Sequence, residues 1–180
     1  MIWRFLNNRL PKFQSLVPVY AVIVFMVYSW TIYIYIRFLP YWLRFLNVSE
    51  ILAIFSYAML SDFLESLSVV LFLLVFCTLL PAAFLRNAFE VRGTVMVVCL
   101  LGAIIVYMDG YAENRTPSLL SYILWSLAIL AAALFLSFLA AKIRFVIPAV
   151  EWLSTNMTIF LYIYIPLTIL SLLNVIFRNL

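Results

Sequence analysis

Two acidic residues, Asp62 and Glu65, stand in a long apolar part of this sequence and have the type and spacing that best support chemistry. A separation of three positions places both on one side of a helix. Paired carboxylates can hold a cation, share a proton, or act as acid and base. The alternative is helix capping, because acidic side chains near a helix start are stabilised by the helix dipole. We expect the capping role for both residues.

The rest of the composition removes most other chemistry. The 180 residues include no histidine, two cysteines and three glycines. Without histidine there is no imidazole ligand for haem or zinc and no Ser-His or Cys-His nucleophile pair. We interpret Cys77 and Cys99 as small buried apolar residues rather than a redox pair, partly because the sequence has no Cys-x-x-Cys. The sequence therefore predicts no catalytic residue, no metal site and no cofactor.

The composition itself is that of a membrane protein. Hydrophobic residues make up 68% of the chain and charged residues 10%, whereas a soluble domain is about half apolar and about a quarter charged. The charges cluster and leave long uncharged runs, and about 20 apolar residues cross a bilayer as a helix. The sequence predicts an all-α, polytopic integral membrane helical bundle, with about five transmembrane helices and short interfacial helices in one domain over 1–180. It excludes a soluble enzyme and a disulfide-stapled secreted module.

The second apolar region is too long for one simple crossing. Residues 51–85 would form a helix about 52 Å long, against a hydrocarbon core of about 30 Å. Asn47-Val48-Ser49-Glu50 and Asp62-Phe63-Leu64-Glu65 each have the pattern of a capped helix start. We therefore expect an interfacial or re-entrant segment over 40–60, followed by a separate span. The alternative is one unbroken helix that carries Glu65 to membrane depth. The predicted spans lie near residues 13–36, 63–85, 93–110, 117–141 and 152–177.

The start of the chain has the pattern of a surface helix. Ile2, Leu6 and Leu10 recur at four-residue spacing before Pro11, which predicts an amphipathic helix over 2–10 on the cytoplasmic leaflet. We interpret it as a lipid-anchored lead-in, with docking of a partner as the alternative. The apolar run that follows exceeds the about 7 to 15 residues of a cleavable signal, so we expect it to stay attached as the first span.

The basic residues predict the orientation. Five crossings with a cytoplasmic N-terminus and an outer C-terminus put seven of the 11 Lys and Arg residues inside, as the positive-inside rule favours. The net charge of +4 is spread over short loops, so we interpret it as topology signals and contacts to anionic lipids, not as a nucleic-acid site. The expected inner residues are Arg4, Arg9, Lys12, Arg86, Arg92, Lys142 and Arg144, and the outer ones Arg37, Arg44, Arg115 and Arg178.

Small and polar residues indicate how the helices associate. Ala133, Ser137 and Ala141 follow one another at four-residue spacing and form a candidate helix-packing ridge, either inside the bundle or towards another subunit. Asn156 and Asn174 make the fifth span polar in its interior, which is typical of hydrogen bonds between membrane helices.

These features favour a non-catalytic, multi-pass membrane protein that acts as an accessory or assembly subunit. Its expected partners are membrane lipids and other membrane protein subunits, or further copies of itself. The alternative is a small-molecule or ion transporter, or a lipid-directed membrane enzyme, that uses Asp62 and Glu65 with Asn156. The environment of Glu65 separates the two hypotheses, because a functional carboxylate faces a cavity whereas a capping one lies at a helix start.

Overall fold

The computed structural model describes residues 11–79, 88–111 and 118–180, and in these ranges the chain is helical with no strand. Each of the five helices is long and apolar enough to cross a membrane. The all-α fold class is confirmed, and the chain is a multi-pass membrane protein. The helices are α1 Phe13–Trp42, α2 Val48–Leu79, α3 Phe89–Tyr111, α4 Leu119–Ala140 and α5 Val146–Asn179.

The predicted break near residue 60 is wrong, because α2 runs unbroken through Asp62 and Glu65. The predicted segment over 40–60 is divided instead between the end of α1, a short turn and the first part of α2. No glycine or proline occurs between Pro40 and Pro81, so nothing interrupts the hydrogen-bonded backbone. The described residues form the single unbroken helix of the alternative interpretation.

Only the first of the two capping patterns marks a helix start. The backbone N–H of Asn47 donates to Oε2 of Glu50 at 2.8 Å, just before α2 begins. α4 begins after Ser118, whose hydroxyl oxygen accepts from the backbone N–H of Ser121 at 3.3 Å. The predicted helix over 2–10 and the end of the predicted span 63–85 lie outside the described residues.

The helices pack around α1, which lies against α2, α3 and α5. α5 also packs against α2 and α3, and α4 packs mainly against α3. α2 and α3, in contrast, make little direct contact with each other. Among the described residues, no helix covers the side of α1 between α2 and α3.

Small residues permit the closest approaches between helices. A Cβ atom added at Gly93 of α3 would lie 3.4 Å from both methyl groups of Val19 on α1, so a larger side chain there would overlap them. On α4, Ala133 and Ser137 of the predicted ridge are fully buried, and Ala141 is a half-buried cap at the helix end. The structure thus places the ridge inside the bundle.

Candidate functional site

The two carboxylates of α2 lie near the middle of a helix that is long and apolar enough to cross a membrane. α2 has 32 residues, and any stretch of about 20 consecutive residues taken from it contains both positions. Asp62 lies about 21 Å along the helix from Val48. The capping role expected for the pair at the outer surface is therefore wrong, because neither residue is near a helix end.

Asp62 is buried between helices. Its side chain is 3% exposed, and its Oδ1 accepts a hydrogen bond of 2.7 Å from the hydroxyl of Thr31 on α1. The second oxygen, Oδ2, is buried and has no hydrogen-bond partner among the described residues. An ionisable group in the hydrocarbon is costly and usually finds a polar partner inside the bundle. Thr31 is that partner, and the sequence analysis did not single it out.

Thr31 belongs to a polar face of α1 that the sequence analysis also missed. Tyr20, Tyr28, Thr31 and Tyr35 lie at spacings that share one side of a helix. The Tyr28 hydroxyl lies 2.7 Å from that of Thr168 on α5, and the Tyr35 hydroxyl donates to the backbone oxygen of Ile51 at 3.2 Å. Repeated hydroxyl side chains at helical spacing in an apolar run were the signal available in the sequence.

Glu65 has a different environment from Asp62. Glu65 is exposed on the surface of the bundle. The hydroxyl of Ser61, one turn earlier on α2, donates to its Oε1 at 3.3 Å. Glu65 lines an opening between α2 and α3 whose floor is α1. A charged side chain at this depth with an exposed surface is unusual, because such groups generally face the bundle interior or a water-filled cavity.

This opening, the α2–α3 groove, has two adjoining sections of about 310 Å³ each. The sections share Leu101 and Ile104 of α3, so they form one continuous groove. Thr31 also lines the first section, so the partner of Asp62 and Glu65 lie in the same section of the groove. Glu65 is the one charged residue in the described lining. The groove is lined by Met26, Val27, Trp30, Thr31, Ile34, Glu65, Ser68, Val69, Phe72, Leu73, Val97, Leu100, Leu101, Ile104, Ile105 and Met108.

A larger cleft of about 640 Å³ lies between α1, α2 and α5, on the opposite side of α2. Its lining is almost entirely apolar, and the hydroxyls of Tyr28 and Thr168 in it bond to each other. It contains neither carboxylate. This apolar cleft is thus separate from the acidic residues of α2.

The remaining candidates are not brought together with the carboxylates. Asn156 is exposed, and its side chain donates to the backbone oxygen of Trp152 one turn earlier at 2.8 Å. Asn174 donates instead to the buried hydroxyl of Ser56 on α2 at 2.8 Å. Cys77 and Cys99 are free thiols. No group of three or more potential metal ligands occurs in the described ranges.

Removing the hydroxyl that contacts Asp62 should destabilise the bundle. We expect Thr31→Val to lower the free energy of unfolding by about 1 to 2 kcal/mol, because a buried carboxyl loses its donor. Thr31→Ser keeps the hydroxyl and should retain most of the stability. Thermal unfolding in detergent measures the effect, with Thr158→Val as the control, since Thr158 bonds to the backbone of its own helix. Equal stability of the two valine variants would contradict the assignment.

Comparison of the chain with protein-family models, with curated proteins and with solved structures gives no match. What the protein does must be inferred from its own side chains. The two carboxylates, the polar face of α1 and the α2–α3 groove are the features that bear on it.

Proposed function

We propose that this protein is a non-catalytic accessory or assembly subunit that holds a transmembrane helix of another membrane protein against the α2–α3 groove. The observation that supports this role best is the position of Glu65, exposed at the middle of α2 on the wall of that groove. In this proposal the groove receives side chains of the partner helix, and Glu65 is the polar contact that fixes its position.

The supporting argument is the cost of leaving Glu65 uncovered. A charged side chain at the centre of a membrane helix costs about 2.5 to 3.5 kcal/mol on insertion scales. The Ser61 hydroxyl supplies one hydrogen bond, and the other described lining residues are almost all apolar. A partner that brings a donor to this depth relieves the cost and gains affinity from the same contact.

The same carboxylate also defines the partner's chemistry. A helix that presents Lys, Arg, or an amide or hydroxyl donor at the level of Glu65 complements it. A second copy of this chain docked through the same face would bring two Glu65 carboxyls together, which like charges disfavour. The proposal therefore specifies a different membrane protein as the occupant of the groove.

Glu65 and Asp62 also support a second candidate function, a transporter of ions or small molecules or a lipid-directed membrane enzyme. The specific observation is that Thr31 both lines the groove and donates to Asp62. The hydroxyl that contacts the buried carboxylate thus belongs to a residue lining the same opening as the exposed carboxylate. That arrangement suits a proton or cation relay. It ranks second because the groove lining is mainly apolar and its described residues hold one charge.

The proposed orientation has the N-terminus in the cytoplasm and the C-terminus outside. It is supported by the seven-to-four distribution of Lys and Arg in the sequence. Reporter fusions after Leu180 and within residues 112–116 should both report the outer side. A cytoplasmic signal from the fusion after Leu180 would contradict the orientation.

Photo-cross-linking in native membranes tests the docking groove. We expect a photoreactive amino acid at Phe72 or Ile104, both in the groove, to capture one specific membrane protein. The same group at the exposed Leu124 of α4 should not. The proposed contact between Glu65 and a donor of the partner helix lies in a low-dielectric site. Glu65→Leu should therefore reduce the cross-linking yield roughly tenfold, equivalent to about 1.4 kcal/mol. Glu151→Gln, which removes an exposed carboxylate outside the groove, should leave the yield unchanged.

The captured partner should have a donor side chain at the contact. Glu65→Lys combined with an acidic residue substituted at that position of the partner should restore the cross-linking yield. Capture of lipid alone, or of a second copy of this chain, would contradict the proposal. A Glu65→Gln variant with normal cross-linking but without a proton- or cation-dependent flux would favour the transporter function instead.

A further inference from the structure

Two cationic side chains converge on one aromatic ring where α3 and α4 pack together. The Arg92 guanidinium carbon lies 5.7 Å from the ring centroid of Phe138, and the Lys142 Nζ lies 4.5 Å from the same point. Arg92 stands in the first turns of α3, and Lys142 follows the end of α4. The packing therefore gathers two positive charges at one position.

The same end of the bundle carries further positive charge. Lys12 precedes α1, and Arg144 lies between α4 and α5. Two acidic residues, Glu90 and Glu151, are described at this end, and Glu90 accepts a hydrogen bond of 2.7 Å from Ser154 on α5. Four basic residues against two acidic ones give this end of the described bundle a net positive charge.

The same end of the bundle carries side chains typical of the membrane–water boundary. Phe145, just before α5, is 85% exposed, and Trp152, in the first two turns of α5, is 70% exposed. Exposed aromatic rings are typical of the headgroup level. Leu127, Phe135 and Leu139 are exposed on the side of α4 that carries Phe138, so an apolar surface extends from the cations along the helix. A ligand that fits has an anionic head and an apolar tail.

We propose that Arg92 and Lys142 bind the phosphate group of an anionic phospholipid, whose acyl chains lie along the exposed leucines of α4. The planar guanidinium matches two phosphate oxygens at once, and the ammonium group adds a point charge. The ring of Phe138 holds both cations in place. Basic positions between membrane helices are known binding places for such headgroups.

Native mass spectrometry of the full chain in detergent tests this site with phosphatidylglycerol and phosphatidylcholine as probes. We expect phosphatidylglycerol to bind at least tenfold more tightly. Removal of each cation should weaken its binding about fivefold, and Arg92→Gln with Lys142→Gln roughly 30-fold. The control, Arg44→Gln with Arg178→Gln, removes the same charge at the other end of the bundle and should have no effect.

If Arg92→Gln impairs folding, changes at the exposed Lys142 alone distinguish loss of a lipid contact from loss of the fold. Lys142→Gln should weaken phosphatidylglycerol binding, and Lys142→Arg should preserve it. Equal affinity for the two lipids, an equal loss in the control variant, or no loss in Lys142→Gln would overturn the proposal. Inorganic phosphate should not compete at millimolar concentration, and competition would identify a free-phosphate site instead of a lipid site.

Discussion

An ionisable side chain in hydrocarbon has to be enclosed, paired or covered, and this constraint governs the middle of the structure. α2 carries two carboxylates near the middle of a helix that is long and apolar enough to cross a membrane, and we infer that both lie within the hydrocarbon. The chain accommodates them in different ways. Asp62 is buried against α1 and receives the hydroxyl of Thr31. Glu65 points out of the bundle into an opening that the described helices leave between α2 and α3.

The position of α1 explains both outcomes. One side of this helix presents hydroxyl groups to α2 and α5, which accounts for the partner of Asp62 and for the bond between Tyr28 and Thr168. The other side contacts α3 closely at Gly93, where a hydrogen atom takes the place of a side chain. In the described residues, α2 and α3 both pack on α1 and make little contact with each other. The proposed partner helix would occupy the space between them.

The sequence was sufficient for the fold class, since uncharged apolar runs separated by charged residues predict five membrane helices directly. It was misleading at residues 60–65. Asn47 to Glu50 and Asp62 to Glu65 have the same capping pattern, yet only the first lies where a helix begins. The pattern describes a local hydrogen bond, whereas the continuity of α2 depends on the absence of glycine and proline over the whole region. The Thr31–Asp62 contact could not be predicted either, because it depends on how α1 and α2 are rotated against each other.

The depth of the middle of α2 in the bilayer tests the central claim most directly. Spin labels at Val48, Leu64 and Leu79, all exposed positions of α2, can be compared for collision with oxygen and with a water-soluble nickel chelate in lipid nanodiscs. One continuous membrane helix predicts that Leu64, next to Glu65, has the highest ratio of oxygen to nickel accessibility, with lower ratios at Val48 and Leu79. A label at Leu64 as accessible to the nickel chelate as one at Val48 would contradict the account.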